Sequence, residues 1–329
     1  MKICVYGAGA VGGHIAGRLE KGGANVSLVA RGSHLAAIQK HGLRVETKDG
    51  ALHSHPVASD DPQSLGSQDV VIVTVKAPSL PQVATHIGPL LGSHTRVVFA
   101  MNGIPWWYFH AHGGAFDGRR LPRIDPDDAL WRCVGPQRVI GAVAHTACTV
   151  IAPGVIRAGN PRNRVILGRP DGKADPLLTN LAGAMSAGGL EIEMTARIRD
   201  AIWEKLLMNL VGGSLGILTA SAMGEALSKP TIAEAAAKMA EEGAAVARAL
   251  GCDPGDPHSG LSRLKVSTHK QSILQDLLLG RSMEVDALFT VPLELARLAD
   301  VPTPTLDLLL GLAVQRAKAA GLCEADKSS

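Results

Sequence analysis

The sequence predicts an α/β fold, in which a doubly wound parallel sheet is followed by a second domain that is all helical. Three observations lead to this prediction. Short runs of β-branched residues alternate with helical patterns through the first half of the chain. A glycine-rich turn joins the first run to the first helix, and the second half is helical in pattern almost throughout. Such alternation indicates a parallel sheet covered by helices on both faces.

Glycines mark the ends of the first elements. The run KICVYG ends in glycine, and the helical stretch AVGGHIAGRLEKGG follows, with Val11, Ile15 and Leu19 on one face and a glycine stop. The run NVSLVAR is predicted to be the second strand. The next helix, SHLAAIQKHG, is predicted to begin with Ser33 as its N-cap and to end at a glycine.

The rest of the first domain is predicted from two apolar runs and a set of turn signals. DVVIVTVK at 69–76 and RVVFAMNG at 96–103 are typical of strands buried on both faces. The stretch 105–135 combines a Trp pair, several glycines and mixed charges, and we expect a long surface excursion there. Antiparallel strands with turns at Pro153–Gly154 and Asn160–Pro161 are expected to complete the domain.

The pattern changes near residue 197. Several helical stretches follow, and the last is predicted at 304–320. The chain is therefore divided into two predicted domains, 1–196 and 197–329.

Composition and charge exclude several classes of protein. The chain has 329 residues and a formal net charge of +3 with no Lys or Arg block, so no nucleic-acid partner is expected. No window approaches the roughly 18 uncharged apolar residues of a membrane span, and none is expected. The five cysteines are widely spaced without a C-x-x-C pair, which predicts neither a disulfide framework nor a metal site. The default location for such a chain is the cytoplasm.

The first glycine-rich turn carries a nucleotide-binding motif. Gly7, Gly9 and Gly12 have the spacing G-x-G-x-x-G between a strand and a helix. There the first glycine permits a tight turn, the second lets a pyrophosphate approach, and the third allows close helix–strand packing. Ala10 and Val11 open the helix, whose free N–H groups favour phosphate. The motif predicts a dinucleotide site; the alternative is a structural turn without a ligand.

The end of the second strand selects the nucleotide. NADH-selective sites usually place Asp or Glu there to accept hydrogen bonds from the ribose hydroxyls. This chain has Arg31, with no carboxylate nearby in the sequence. The planar, permanently charged guanidinium suits a 2′-phosphate, so the sequence predicts NADPH. The alternative is a surface arginine in a loop.

The second half offers a candidate acid. Lys205 and Asn209 are four residues apart in WEKLLMNLVGGS, on one face of a predicted helix whose other directions are apolar. In a cleft, desolvation would lower the pKa of the lysine and suit it to protonate a developing alkoxide. The alternative is a lysine whose stem lies along the protein surface.

Three further polar residues are candidates by position. Lys76 and Asn102 end buried strands, at the sheet edge where doubly wound folds bind ligands. Glu284 enters an apolar helical stretch in GRSMEVDALF. Ordinary loop polarity is the alternative for the first two, and a helix-start carboxylate is the alternative for the third.

These motifs together resemble the ketopantoate reductase family, the 2-dehydropantoate 2-reductases. The resemblance runs over nearly the whole chain. It rests on GAGAVG at 7–12, Arg31, VKA at 75–77, NG at 102–103, WEKLLMN at 203–209 and SILQDLLLGRSMEVD at 272–286.

The resemblance implies a fold, a reaction and a set of roles. It implies a Rossmann-type NADP-binding domain at 1–196, a helical substrate and catalytic domain at 197–329, and a cleft between them. In this cleft NADPH would reduce a 2-keto acid, 2-dehydropantoate, to (R)-pantoate. The implied catalytic residues are Lys205, as general acid, and Glu284, which would help to bind substrate or hold Lys205 charged. The implied substrate residues are Asn102, Asn209 and Ser272. The implied cofactor residues are Gly7, Gly9, Ala10, Val11, Gly12, Arg31, Lys76 and Asn102.

One departure leaves the substrate open. Family members often carry a second Asn one turn after the position of Asn209, where this chain has Gly213. Either one polar contact is missing, or Ser214 or a water replaces it. A reductase of another 2-keto acid is therefore one alternative. A non-catalytic NADP(H)-binding sensor is another, although it would not need Lys205, Asn209 and Glu284 together. Exposed apolar helix faces would allow a homodimer.

Overall fold

The computed structural model describes residues 1–159 and 163–323. The chain forms two compact units. The first contains residues 1–101 and 106–198, and the second contains residues 102–105 and the chain from 199 onward. The short segment 102–105 therefore belongs with the helical second unit, although it follows a strand of the first. The predicted functional division at residue 196 stays a prediction.

Strands occupy the first unit. In chain order they are β1 (Lys2–Tyr6), β2 (Asn25–Val29), β3 (Leu43–Thr47), β4 (Gly50–Ser54), β5 (Val57–Ser59), β6 (Gln68–Val73), β7 (Leu91–Phe99), β8 (Val139–His145), β9 (Cys148–Ala152), β10 (Val155–Ala158), β11 (Arg164–Gly168) and β12 (Glu191–Met194).

Helices connect these strands and build the second unit. They are α1 (Ala10–Lys21), α2 (Gly32–His41), α3 (Leu80–His86), α4 (Ala129–Cys133), α5 (Pro176–Ala187), α6 (Ile198–Thr219), α7 (Met223–Ala226), α8 (Pro230–Ala249), α9 (Ser259–Lys265), α10 (Ser272–Leu278), α11 (Val291–Leu298) and α12 (Pro304–Ala319). A π-helical turn, Asp286–Thr290, leads directly into α11.

The larger sheet confirms the predicted α/β class. Its order within the described residues is β12-β11-β8-β7-β6-β1-β2-β5. The six neighbouring strands β5, β2, β1, β6, β7 and β8 are parallel to one another. The next strand in the sheet, β11, runs antiparallel to β8. Residues 70–73 of β6 are fully buried, as expected for a β-branched strand covered on both faces. The parallel strands bring their carboxyl ends, and the loops that follow them, to one edge.

A second sheet was not predicted. It has the order β4-β3-β10-β9, with β3 and β4 joined as an antiparallel hairpin and β10 parallel to β3. The turn at Pro153–Gly154 forms as predicted, between antiparallel β9 and β10. The predicted turn at Asn160–Pro161 lies outside the described residues.

Two local predictions were wrong. The start of the 105–135 stretch is core, because Trp106, Trp107, Tyr108 and Phe109 are at most 1% exposed. Burial of these four aromatic side chains outweighs the polar, glycine-rich character of the residues that follow. The helix after β2 begins at Gly32 with Arg31 in the N-cap position, and no side chain caps it.

The second unit is helical, as predicted. Its helix α6 is long and apolar enough to cross a membrane by length and composition alone, but 72% of its apolar window is buried inside the protein. Burial of Trp203, Leu206 and Leu210 identifies it as a core helix. The apolar composition of α6 is therefore explained by packing.

Candidate active site

The turn from β1 into α1 requires two of its three glycines for packing. Gly7 has φ +105°, a conformation that side chains rarely adopt. A Cβ added to Gly12 would overlap the Gly7 carbonyl oxygen and the Thr74 Oγ1 atom. Thr74 Oγ1 also donates a hydrogen bond of 2.6 Å to that carbonyl. The third glycine thus lets α1 lie close to the strand ends, as predicted.

Gly9 is different, because the protein does not require a glycine there. A Cβ at Gly9 would meet no atom within 4 Å. Gly9 lines a cavity of about 670 Å³ that the first unit forms over its strand ends. It is also the N-cap residue of α1, and no side chain caps the helix, so the N–H groups at Ala10 and Val11 remain available for an anion. These features fit a dinucleotide phosphate.

We expect Gly12→Ala to lower the stability of the protein and Gly9→Ala to lower its affinity for the cofactor. Gly12→Ala should destabilise the protein by about 1–3 kcal/mol, because its methyl group overlaps backbone. Gly9→Ala should leave the melting temperature near that of the parent and weaken NADPH binding. Thermal unfolding and NADPH titration of both variants measure this. Equal loss of stability in both variants would contradict this distinction.

Arg31 lies in the same cavity. It follows β2 and donates a hydrogen bond of 2.8 Å from Nη1 to Oε1 of Gln82 in α3. The residue is exposed, and a planar guanidinium has the geometry to bind a phosphate through two hydrogen bonds. Lys76, the other cation proposed for the cofactor, is half-buried directly after Val75, which lines the cavity. Lys76 itself does not line the cavity.

His34 is a cavity residue that the sequence analysis missed. Its Nδ1 accepts a hydrogen bond of 3.0 Å from the Gly154 N–H. The proton must then be on Nε2, which donates to the Ala8 carbonyl at 2.6 Å. The ring therefore ties the glycine turn to the β9–β10 hairpin, whose Ala152 and Pro153 form another wall of the cavity. No sequence signal connects these segments.

The second unit brings three predicted site residues together. Lys205 Nζ donates a hydrogen bond of 2.8 Å to Asn102 Oδ1. Asn102 Nδ2 in turn donates to Glu284 Oε2 at 3.3 Å. Glu284 is only 7% exposed. The amide therefore links an ammonium group to a buried carboxylate, which is more than the helix-start role that was the alternative for Glu284.

Close packing against the π-helical turn holds this arrangement. Gly103 has φ +81°, and a Cβ there would overlap the carbonyl group of Ala287 in the turn. The same carbonyl accepts a hydrogen bond of 2.9 Å from the Ile104 N–H. The segment carrying Asn102 is thus fixed to the turn that follows Glu284. A π-helical turn is a feature often found at functional sites.

Burial lowers the pKa of Lys205, the candidate acid. Desolvation lowers the pKa of Lys205 from 10.5 to about 8, and the negative charge of Glu284 opposes part of that decrease. Lys205 is therefore protonated at neutral pH but can release its proton readily. Removal of the ammonium group from water, rather than a lysine stem that lies along the protein surface, therefore sets this pKa.

The other substrate candidates have different surroundings. Asn209 is half-buried one turn after Lys205 on α6. Ser272 is exposed at the start of α10, and within the described residues it shares no hydrogen bond with Lys205, Asn102 or Glu284. The structure therefore links three of the five proposed catalytic and substrate residues by hydrogen bonds.

The position one turn beyond Asn209 is apolar. A Cβ at Gly213 would lie 3.2 Å from Ile273 Cγ2 and 3.3 Å from Phe289 Cζ, so a side chain there would have to displace these two apolar groups. Ser214 does not replace it, because that side chain is fully buried and its hydroxyl donates to the Leu210 carbonyl. The suggestion that Ser214 supplies the missing contact is wrong.

None of the five cysteines forms a disulfide bond, and within the described residues no group of three or more His, Cys, Asp or Glu side chains could hold a metal ion.

Comparison with known proteins gives matches over nearly the whole chain. A family model described as Ketopantoate reductase PanE/ApbA matches residues 3–172, and its C-terminal counterpart matches residues 197–317. A 2-dehydropantoate 2-reductase from Mesorhizobium japonicum is 43% identical over 318 residues, which are 95% of this chain and 96% of the relative.

Solved structures show the same similarity. A candidate ketopantoate reductase from Ralstonia solanacearum superposes with a TM-score of 0.90 at 37% identity, covering 97% of this chain and 98% of the other. A PanE/ApbA family ketopantoate reductase from Ralstonia eutropha gives a TM-score of 0.83 at 26% identity, with coverages of 98% and 100%.

Proposed function

The chain belongs to the ketopantoate reductase family, and from this membership we propose that it reduces 2-dehydropantoate to (R)-pantoate with NADPH. The single observation that carries the chemistry is the hydrogen-bonded set Lys205–Asn102–Glu284 in the second unit. A sensor that only bound the cofactor would not need a desolvated lysine held in this way.

The residues of the cavity support a dinucleotide cofactor. Gly7, Gly9 and Gly12 shape the turn, Ala10 and Val11 offer backbone N–H groups, and Arg31 would bind the 2′-phosphate. Lys76 and Asn102 remain proposed cofactor residues. When bound, NADPH supplies the hydride that adds to the keto carbon.

Lys205 performs the acid step in this proposal. As the keto carbon is reduced, negative charge develops on the carbonyl oxygen. The ammonium group of Lys205 stabilises that charge and transfers a proton from Nζ to the oxygen, which gives the hydroxyl product. Asn102 orients the ammonium through its Oδ1 atom, and the charge of Glu284 favours the protonated form.

The remaining polar groups would hold the substrate. Asn209, together with Asn102 and Ser272, would donate hydrogen bonds to the carboxylate. Glu284 could also accept from a substrate hydroxyl. The apolar surroundings of Gly213 remove one possible polar contact. Reduction of another 2-keto acid is therefore the second candidate function.

We expect the rate of reduction to fall above about pH 8. The acid must be protonated, and the pKa of Lys205 is lowered to about 8, so kcat/KM should be level below this pH and decrease above it. Removing the negative charge in Glu284→Gln should lower the pKa of Lys205 further and move the decrease to lower pH. Initial rates across pH 6–10 for both proteins measure this. A decrease at the same pH in both proteins would contradict the role of Glu284.

A substrate panel tests the proposed function. The purified protein is mixed with NADPH and with 2-dehydropantoate, 3-methyl-2-oxobutanoate or pyruvate, and NADPH absorbance is followed. We expect the highest kcat/KM with 2-dehydropantoate and (R)-pantoate as the product on chiral chromatography. Faster reduction of another keto acid would favour the second candidate function. NADPH binding without NADPH oxidation in the presence of any of these keto acids would favour the sensor.

We also expect the protein to act in the cytoplasm.

A further inference from the structure

The nucleotide cavity contains a carboxylate that the sequence did not place there. Asp60 lines the cavity together with Arg31. It directly follows β5, which pairs in parallel with β2 in the register Val29↔Ser59. The Ala30 N–H continues this pairing with a hydrogen bond of 3.0 Å to the Ser59 carbonyl. Asp60 and Arg31 therefore lie just beyond the carboxyl ends of two neighbouring strands, at the same edge of the sheet. Neighbouring strands in a sheet are spaced about 5 Å apart.

The carboxylate of Asp60 is available to a ligand. Its side chain is exposed, and within residues 1–159 and 163–323 it makes no hydrogen bond or ion pair. The adjacent Asp61 differs, because its Oδ1 accepts a hydrogen bond of 2.9 Å from the Gln63 N–H. Within the described residues Arg31 forms no ion pair with Asp60, and its Nη1 donates a hydrogen bond to Gln82 instead.

An anion and a cation in one nucleotide cavity have opposite preferences. A guanidinium attracts the 2′-phosphate of NADPH. A carboxylate repels that phosphate, but it accepts hydrogen bonds from the ribose hydroxyls of NADH. Both groups line the cavity beside the glycine turn and follow β2 and β5, the strands next to β1, which is the side where a doubly wound fold receives the adenosine of a dinucleotide bound at Gly9.

We propose that Asp60 is a second specificity-determining residue of the cofactor site, and that it enables the protein to use NADH as well as NADPH. The proposal rests on the proposed function, because it assumes that this cavity binds the nicotinamide cofactor. Arg31 sets the preference for NADPH, and Asp60 limits the size of that preference.

The test compares cofactor binding to the full chain and to Asp60→Asn. Dissociation constants for NADPH and NADH are measured by isothermal titration calorimetry, which does not depend on turnover. Asp60→Asn should raise the dissociation constant for NADH by up to about tenfold, because a neutral amide oxygen accepts a ribose hydrogen bond more weakly than a carboxylate, and should lower that for NADPH by removing the repulsion of its 2′-phosphate. Both changes raise the preference for NADPH.

Asp61→Asn is the matched control. It removes the same charge one residue away, and asparagine can still accept the hydrogen bond from Gln63. It should leave both dissociation constants close to those of the parent. If Asp60→Asn also leaves them unchanged, or if both variants shift them equally, Asp60 is a solvated charge and the proposal is wrong. If the parent protein binds neither cofactor, the proposed function itself fails.

Discussion

Lys205→Ala is expected to lower kcat/KM for 2-dehydropantoate by about 10²–10⁴-fold, while the dissociation constant for NADPH stays nearly unchanged. The variant removes the ammonium that would stabilise and protonate the carbonyl oxygen. It leaves intact the glycine turn, Arg31 and the cavity, which all belong to the first unit. Steady-state kinetics and NADPH titration of the same preparation measure the two effects separately.

Two further variants separate chemistry from folding. Lys205→Ala leaves Asn102 Oδ1 without its lysine donor, so its melting temperature must be measured. Lys205→Met retains an apolar stem of similar length and should be equally inactive. Lys238→Ala removes a lysine that is 57% exposed and paired with Glu234 on α8, and it should keep full activity. Turnover within tenfold of the parent in either Lys205 variant would rule out this lysine as the acid.

Arg31→Asp is expected to shift cofactor preference from NADPH toward NADH. The loss of a charged hydrogen-bond donor to the 2′-phosphate should lower kcat/KM with NADPH by about 10–100-fold. The introduced carboxylate can accept from the ribose hydroxyls, so activity with NADH should be retained or rise. Kinetics with each cofactor at saturating keto acid give the ratio directly.

Lys40→Asp provides the matched control for charge. It makes the same charge change in the last turn of α2, the helix that Arg31 precedes, but Lys40 is exposed and does not line the cavity. Its cofactor ratio should equal that of the parent. If Arg31→Asp also leaves the ratio unchanged, Arg31 does not recognise the phosphate.

Local sequence patterns predicted the glycine turn of the proposed cofactor site and the helix that carries the proposed acid. The G-x-G-x-x-G spacing identified the turn at Gly7, and the i, i+4 spacing placed Lys205 and Asn209 on one helix. Both are short-range features, which depend on backbone geometry over a few residues. The family and the α/β fold followed from such motifs taken in order.

Contacts between distant residues could not be predicted in this way. The hydrogen bonds of Asn102 span 103 positions to Lys205 and 182 positions to Glu284. Asp60 reaches the cavity because β5, a strand of only three residues, pairs with β2. Such a strand is too short to show an alternating pattern. No carboxylate is close to Arg31 along the chain, but Asp60 lines the same cavity in the folded protein. The prediction that Arg31 has no carboxylate nearby was therefore wrong for the folded protein.

The buried aromatic segment shows a different limit. Trp106 to Phe109 precede glycines and charges that indicate a loop, and those neighbours dominated the prediction for 105–135. The four side chains are nevertheless core. Composition averaged over thirty residues hides a short apolar segment whose burial is decided by packing.

The most direct test of the central claim is the isotopic content of the product. The protein is incubated with 2-dehydropantoate and NADPH deuterated at the transferable position of the nicotinamide, and pantoate is analysed by mass spectrometry. The account predicts (R)-pantoate with a single deuterium at C2, formed by the parent protein and at least about a hundred times more slowly by Lys205→Ala. Unlabelled pantoate, or labelled pantoate formed equally fast by Lys205→Ala, would contradict it.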